Sequence, residues 1–157
     1  MTLDPTARES NVRDSLKKYF VDNLHTKEGI ILSFDKQISD PAIHKVQSVN
    51  RWISIKIGAM DRNEMGRLDV DLYCAVRQDP ESFRLAQLCD TVMGHLTDTT
   101  QTDTMRRIPF YRSRETGAWT LLGALLVVDV LESGEEDGPD SSKFKILTLT
   151  IRWSAKI

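Results

Sequence analysis

The chain has 157 residues, with 21 Lys and Arg against 23 Asp and Glu, a formal net charge of −2, and 40% hydrophobic residues. That length suits one domain spanning residues 1–157 with a real core. The composition excludes a wholly disordered chain and a strongly basic protein that coats nucleic acid.

The opening MTLDPTARES lacks the basic and apolar signature of a signal peptide, and no apolar run suffices for a membrane span. A reducing, cytoplasmic setting without a membrane partner is therefore expected. Pro5 to Leu24 is helical in pattern: Val12, Leu16, Tyr19, Phe20 and Leu24 share one face, and Arg13, Asp14, Lys17, Lys18 and Asp22 the other. Asp4 is a plausible start, with Ser10 and Asn11 as later cap positions. His25 falls at the helical end, where a cationic side chain suits the dipole, and no second metal ligand stands at a useful spacing.

GIILSFD, residues 29–35, is a short β-rich run. Lys36 to Asn50 carries the Asp40-Pro41 turn signal without sustained periodicity and reads as a surface loop that can serve as a contact arm. In Arg51 to Met60, Ile53, Ile55 and Ile57 alternate with Trp52, Ser54 and Lys56. Asp61, Asn63 and Gly66 then supply hairpin turn chemistry.

The next strand holds Leu68, Val70, Leu72, Cys74 and Val76 on one face, with Asp69, Asp71, Tyr73 and Ala75 on the other. Asp79 offers a helix cap, Pro80 the first helical position, and Glu81 a favourable charge. Leu85, Leu88, Cys89, Val92 and Leu96 follow at helical spacing. Cys74 and Cys89 lie on these apolar stripes and read as buried free thiols.

Thr97 to Thr104 is a polar tract expected to form a mobile loop. Met105 to Tyr111 is a short strand that Pro109 confines to an edge or bulge, and Arg112 to Gly117 is a polar turn. Trp119 to Leu131 favours a long strand over a helix, Glu132 to Ser142 is an acidic loop, and Lys143 to Trp153 alternates as a final strand. The predicted class is α+β, a single mainly antiparallel sheet of about six strands with two main helices packed on one face.

Catalytic chemistry finds no positive support. Asp69 and Asp71 project from the same strand face, as in metal-dependent nucleases, but no third acidic partner or suitably spaced Lys accompanies them. A solvated outer face is the preferred reading. His25, His44 and His95 are scattered, the eight glycines are mostly isolated at turns, and no nucleophile elbow surrounds any serine. No cofactor or metal is expected.

The charge layout is more suggestive. Arg106, Arg107, Arg112 and Arg114 surround the Pro109 strand, while Glu132, Glu135, Glu136, Asp137 and Asp140 share one loop. A strand over Trp119 to Leu131 would separate the two groups by about 40 Å. Oppositely charged ends permit head-to-tail association, which closes into a ring when the rotation allows. The candidate subunit contact is Arg112 and Arg114 against Glu135, Glu136 and Asp137; ordinary solvation of both loops is the competing explanation.

The succession of amphipathic helix, hairpin, LDVDLYCAVRQDPESFRLAQLCDTVMGHL and a long final hairpin ending LTLTIRW resembles the tail terminator (tail completion) proteins of long-tailed bacteriophages. The likeness spans about Asn11 to Trp153 and rests on element order, without a catalytic motif. It implies a non-enzymatic virion protein at the head–tail junction, assembled in the host cytoplasm. Its partners would be itself, in a hexameric ring, the tail tube protein and the head–tail connector. DNA would pass through the ring without sequence-specific binding. The alternatives are a head-completion or neck connector protein, a metal-dependent nuclease using Asp69 and Asp71, and a regulatory binding module.

Overall fold

The computed structural model describes residues 9–34, 50–61, 65–98, 106–112, 119–138 and 141–154. Helix α1 (Glu9–Phe20) widens into a π-helical segment (Val21–Thr26). Strands β1 (Ile31–Phe34), β2 (Arg51–Asp61) and β3 (Met65–Arg77) precede helix α2 (Phe83–Leu96). Then come β4 (Arg107–Tyr111), β5 (Leu121–Glu132), the two-residue β6 (Glu136–Asp137) and β7 (Ser142–Ser154). The fold is α+β, and Trp119–Leu131 resolves as strand over nearly its whole length.

The strands form one sheet in the order β1-β2-β3-β7-β5-β4, with β6 added on β7. It is mixed rather than mainly antiparallel, which corrects the expectation. β1 runs parallel to β2, with Ile31 opposite Trp52 and Phe34 opposite Ile55, whereas the remaining pairs are antiparallel. The physical reason is chain length: a parallel neighbour needs a crossover of roughly a dozen residues or more, and residues 35–50 supply it. The expected loop and contact arm at 36–49 lie outside the described residues, as do the hairpin tip at 62–64, most of the Thr-rich tract and the tip of the polar turn.

One buried cluster gathers residues of both helices and of the strands. Val12, Leu16, Tyr19, Phe20 and Leu24, the predicted apolar stripe, are all buried. So are Leu85, Leu88, Cys89, Val92 and Leu96 of α2. Register aligns the strand contribution: Ile55, Leu72 and Leu147 are successive partners, as are Val70, Leu149 and Val130. On the other side of the sheet Trp52 and Ala75 form a small second cluster with Phe144, and the Arg77 guanidinium lies 4.9 Å from the centre of the Trp52 ring. β3 and β7 pair without interruption from Met65–Ser154 to Arg77–Ser142. Register shifts occur only in the ladders of the outer strands, between Ile57 and Met60, Val127 and Asp129, and Phe110 and Tyr111.

α2 begins later than the residues Asp79-Pro80-Glu81 suggest. Asp79 to Ser82 forms a turn, closed by Ser82 N–H donating to the Asp79 carbonyl at 3.1 Å, and Ser82 sits at φ 58°. That left-handed residue prevents helix from starting at Pro80. Asp79 still caps the helix: its Oδ2 accepts from Leu85 N at 3.0 Å, reaching across the turn to the third helical N–H. Gly29, at φ 68°, ends the first helical stretch by donating to the His25 carbonyl at 2.9 Å.

Cys74 on β3 and Cys89 on α2 are free and buried. Hydrogen bonding with Cys89, then burial, raises the Cys74 thiol well above its ordinary pKa. Both thiols should resist an aromatic disulfide reagent in the native protein and react only on unfolding. Fast labelling of either without denaturant contradicts this packing.

Gly66 faces Trp153 across the β3–β7 ladder, and a Cβ at Gly66 would lie 2.3 Å from the indole Cε2. The indole is buried at the end of the core. Gly66→Ala should therefore cost about 1–3 kcal/mol through forced displacement of the ring. Chemical denaturation measures this; a wild-type midpoint would refute the close contact.

Candidate functional site

β5 connects two charged regions of opposite sign. At its start, Arg112 N–H donates to the Thr120 carbonyl at 2.8 Å, placing exposed Arg112 beside the first residues of the strand. Beyond its end, Glu136 and Asp137 form the exposed strand β6, paired with Phe144 and Lys143 of β7. The acidic loop is thus partly a continuation of the sheet. Twelve residues of β5 separate the two groups, about 40 Å of extended chain. Arg114 lies outside the described residues.

Glu135 differs from its neighbours. Its Oε1 accepts from Ser82 Oγ at 2.5 Å and lies 3.3 Å from Lys143 Nζ. Lys143 Nζ also donates to the Pro80 carbonyl at 3.0 Å. Glu135 therefore ties the β5–β6 connection to the turn before α2 and supports that turn's left-handed serine. Glu132 is likewise engaged, by Lys145 at 3.2 Å. Among the described acidic residues of this loop, Glu136 and Asp137 face outward on β6, so the structure divides the predicted acidic set into a supporting and an outward-facing part.

The basic region gains residues that sequence distance had hidden. α1, the π-helical segment and β4 border a cleft of about 400 Å³, lined by Ser15, Lys18, Tyr19 and Lys27 from the N-terminal half and by Arg107 of β4 and Arg106 just before it, among others. Ser15 pins the two walls together: Tyr111 N–H donates to Ser15 Oγ at 2.8 Å, and that hydroxyl in turn approaches the Tyr111 carbonyl at 3.3 Å. Edge-strand backbone is thereby given a partner.

Tyr19 organises the floor. Its hydroxyl donates to the His95 carbonyl at the end of α2 and accepts from Arg106 Nε at 3.1 Å. Burial, partly opposed by Arg106, raises the Tyr19 pKa and keeps the phenol protonated. Lys18 pairs with Asp22 at 2.8 Å and lies over the rings of Tyr111 and Trp119. Lys27 Nζ donates to Asn23 Oδ1 at 3.2 Å. The cleft therefore presents four cations and one carboxylate. Such a surface recognises acidic groups.

Asp69 and Asp71 lie on the sheet face away from the main core, where β7 threonines occupy them. Thr148 Oγ1 donates to Asp71 Oδ1 at 2.8 Å, and Thr150 Oγ1 to Asp69 Oδ1 at 3.4 Å, with Arg67 3.6 Å from the latter oxygen. Among the described residues no three His, Cys, Asp or Glu side chains are grouped to hold a metal. His25 Nδ1–H donates to the Ile30 carbonyl at 3.0 Å, and His95 Nε2 lies 3.0 Å from Glu28 Oε1. Among the described residues no helix is long and apolar enough to cross a membrane.

No family model matches the chain, and no curated protein matches it. Its fold is similar to the solved structure of a protein named only by a sequence identifier, with a TM-score of 0.59 and 9% identity over 93% of this chain and 95% of that one. At that identity the likeness shows the architecture alone.

The Ser82 hydroxyl, followed by Lys143, holds the Glu135 carboxyl below its ordinary value of 4.5. A carboxyl lowered in the fold contributes stability above its unfolded pKa and loses it as pH falls through the folded one. Glu135→Gln should therefore reduce the stability lost between about pH 7 and pH 3. Urea midpoints across that range test this; an unchanged pH profile in the variant would remove Glu135 from the turn's support.

Proposed function

We propose that this chain is a structural ring protein of the tail terminator type, capping the tail tube of a long-tailed bacteriophage and offering a surface for head docking. The observation that carries the reading is the separation of complementary charge along β5, with Arg112 at one end and Glu136 and Asp137 at the other. Unlike patches at opposite ends of one subunit make a heterologous contact, and a closed ring is its finite product. Arg112 and Arg114 meeting Glu136 and Asp137 of a neighbour would form part of that contact, with Glu135 holding the acidic edge in place.

The arrangement around Asp69 and Asp71 favours this reading over a nuclease. Their Oδ1 atoms accept from Thr148 and Thr150, which ties both side chains into a cross-strand ladder, and among the described residues no third His, Cys, Asp or Glu joins them. The ring would associate with the tube below and the connector above, in the virion, with DNA passing through its centre.

Electron microscopy of purified protein mixed with tail tubes should reveal a cap at one end. Arg112→Glu combined with Arg114→Glu should weaken assembly more at low than at high salt, because exposed charges are screened. Bare tube ends with the wild-type protein would count against the reading. Magnesium-dependent DNA cleavage that disappears in Asp69→Asn would replace it with the nuclease.

A further inference from the structure

We infer that the cleft between α1 and β4 is the receptor for the Glu136–Asp137 strand of a second copy of this chain. The inference rests on the ring reading and deepens it by locating the main acceptor in a built concavity rather than at Arg112 alone.

Lys18, Lys27, Arg106 and Arg107 converge from segments far apart in sequence on a cleft of about 400 Å³. Tyr19 fixes the Arg106 guanidinium from below through its Nε, so this wall is preorganised. Lys27 and Arg107 are exposed at the mouth. The complementary element is equally defined: Glu136 and Asp137 are exposed and held extended by backbone pairing to β7. Both partners thus keep little conformational freedom to lose on docking.

The two elements cannot satisfy each other within one copy. Arg107 stands opposite Leu126, and β6 lies past Glu132, at least six strand positions further on, or about 20 Å. A contact between them needs another molecule and is heterologous by construction. An extended phosphate backbone fits less well. Asp22 lines the cleft, and the adjoining pocket on the other side of Lys18 sets Asp14 and Asp22 against Lys17 and Lys18. A polyanion leaving the cleft there would gain no net positive charge, whereas a short acidic strand ends inside it.

A charge-swap pair tests this in the full chain. One variant carries Lys27→Glu with Arg107→Glu, the other Glu136→Lys with Asp137→Lys; all four side chains are exposed, and thermal melting checks that each variant folds. Self-association at low salt is followed by sedimentation velocity, and capping of tail tubes by electron microscopy. Each variant alone should associate about tenfold more weakly or worse. Their equimolar mixture should recover wild-type assembly, because every acidic cleft then meets a basic strand and every basic cleft an acidic one. Alternation closes in a ring with an even number of subunits.

If both variants assemble like the wild type, or the mixture fails to recover, the cleft is not the receptor, while capping by the wild type leaves the ring reading standing. Wild-type protein that remains monomeric and caps no tube overturns both. Binding of a short DNA duplex that is lost with Lys27→Glu and Arg107→Glu, at unchanged self-association, reassigns the cleft to phosphate.

Discussion

Thirteen consecutive pairs join β3 to β7, from Met65 opposite Ser154 to Arg77 opposite Ser142, and the rest of the molecule is placed by that ladder. Its inner side carries Leu68, Val70 and Leu72 against Ile151, Leu149 and Leu147, an apolar surface that belongs to the same buried cluster as the helical side chains. Its outer side carries Asp69 and Asp71 against Thr150 and Thr148, hydrogen-bonded across the strands. A slip of one residue would exchange these two surfaces and bury two carboxylates. The register is therefore held by the cost of being wrong on both faces, and Gly66 beneath Trp153 marks its end.

From this ladder, β2 extends the sheet on one side and β5 on the other. The length of β5 carries charge to both ends of the molecule, while β4 returns along only its first half. That half-length return leaves space for α1 to lie beside β4, and the basic cleft forms where the two meet. The acidic strand β6 depends on β7 in the same way. The basic cleft and the acidic strand are thus built from opposite ends of one sheet.

Much of the frame was legible in the residues because burial imposes strict periods. The stripes from Val12 to Leu24, Leu68 to Val76, Leu85 to Leu96 and Leu147 to Trp153 are buried where alternation or helical spacing predicts. What failed depended on relations that no local window contains. The parallel placement of β1 is set by where the chain goes after Phe34; the only signal was the length of residues 35–50. The late start of α2 turns on the left-handed conformation of Ser82, which Glu135 and Lys143 support from elsewhere in the chain. The acidic set was found, but its division into supporting Glu135 and outward Glu136 and Asp137 required knowing what stood beside Ser82. Lys18 was visible as a polar helix residue, whereas Lys27 lay past the expected helix; their partnership with Arg106 and Arg107 depends on how the N-terminal helical stretch meets β4.

The register shift between Ile57 and Met60 has a consequence for growth. Among the described residues β1 pairs with β2 from Trp52 to Ile55, and the irregularity falls beyond that stretch. Such a shift bends the strand and increases its local twist. The shift thus works against extending the ladder in regular register through this part of β2.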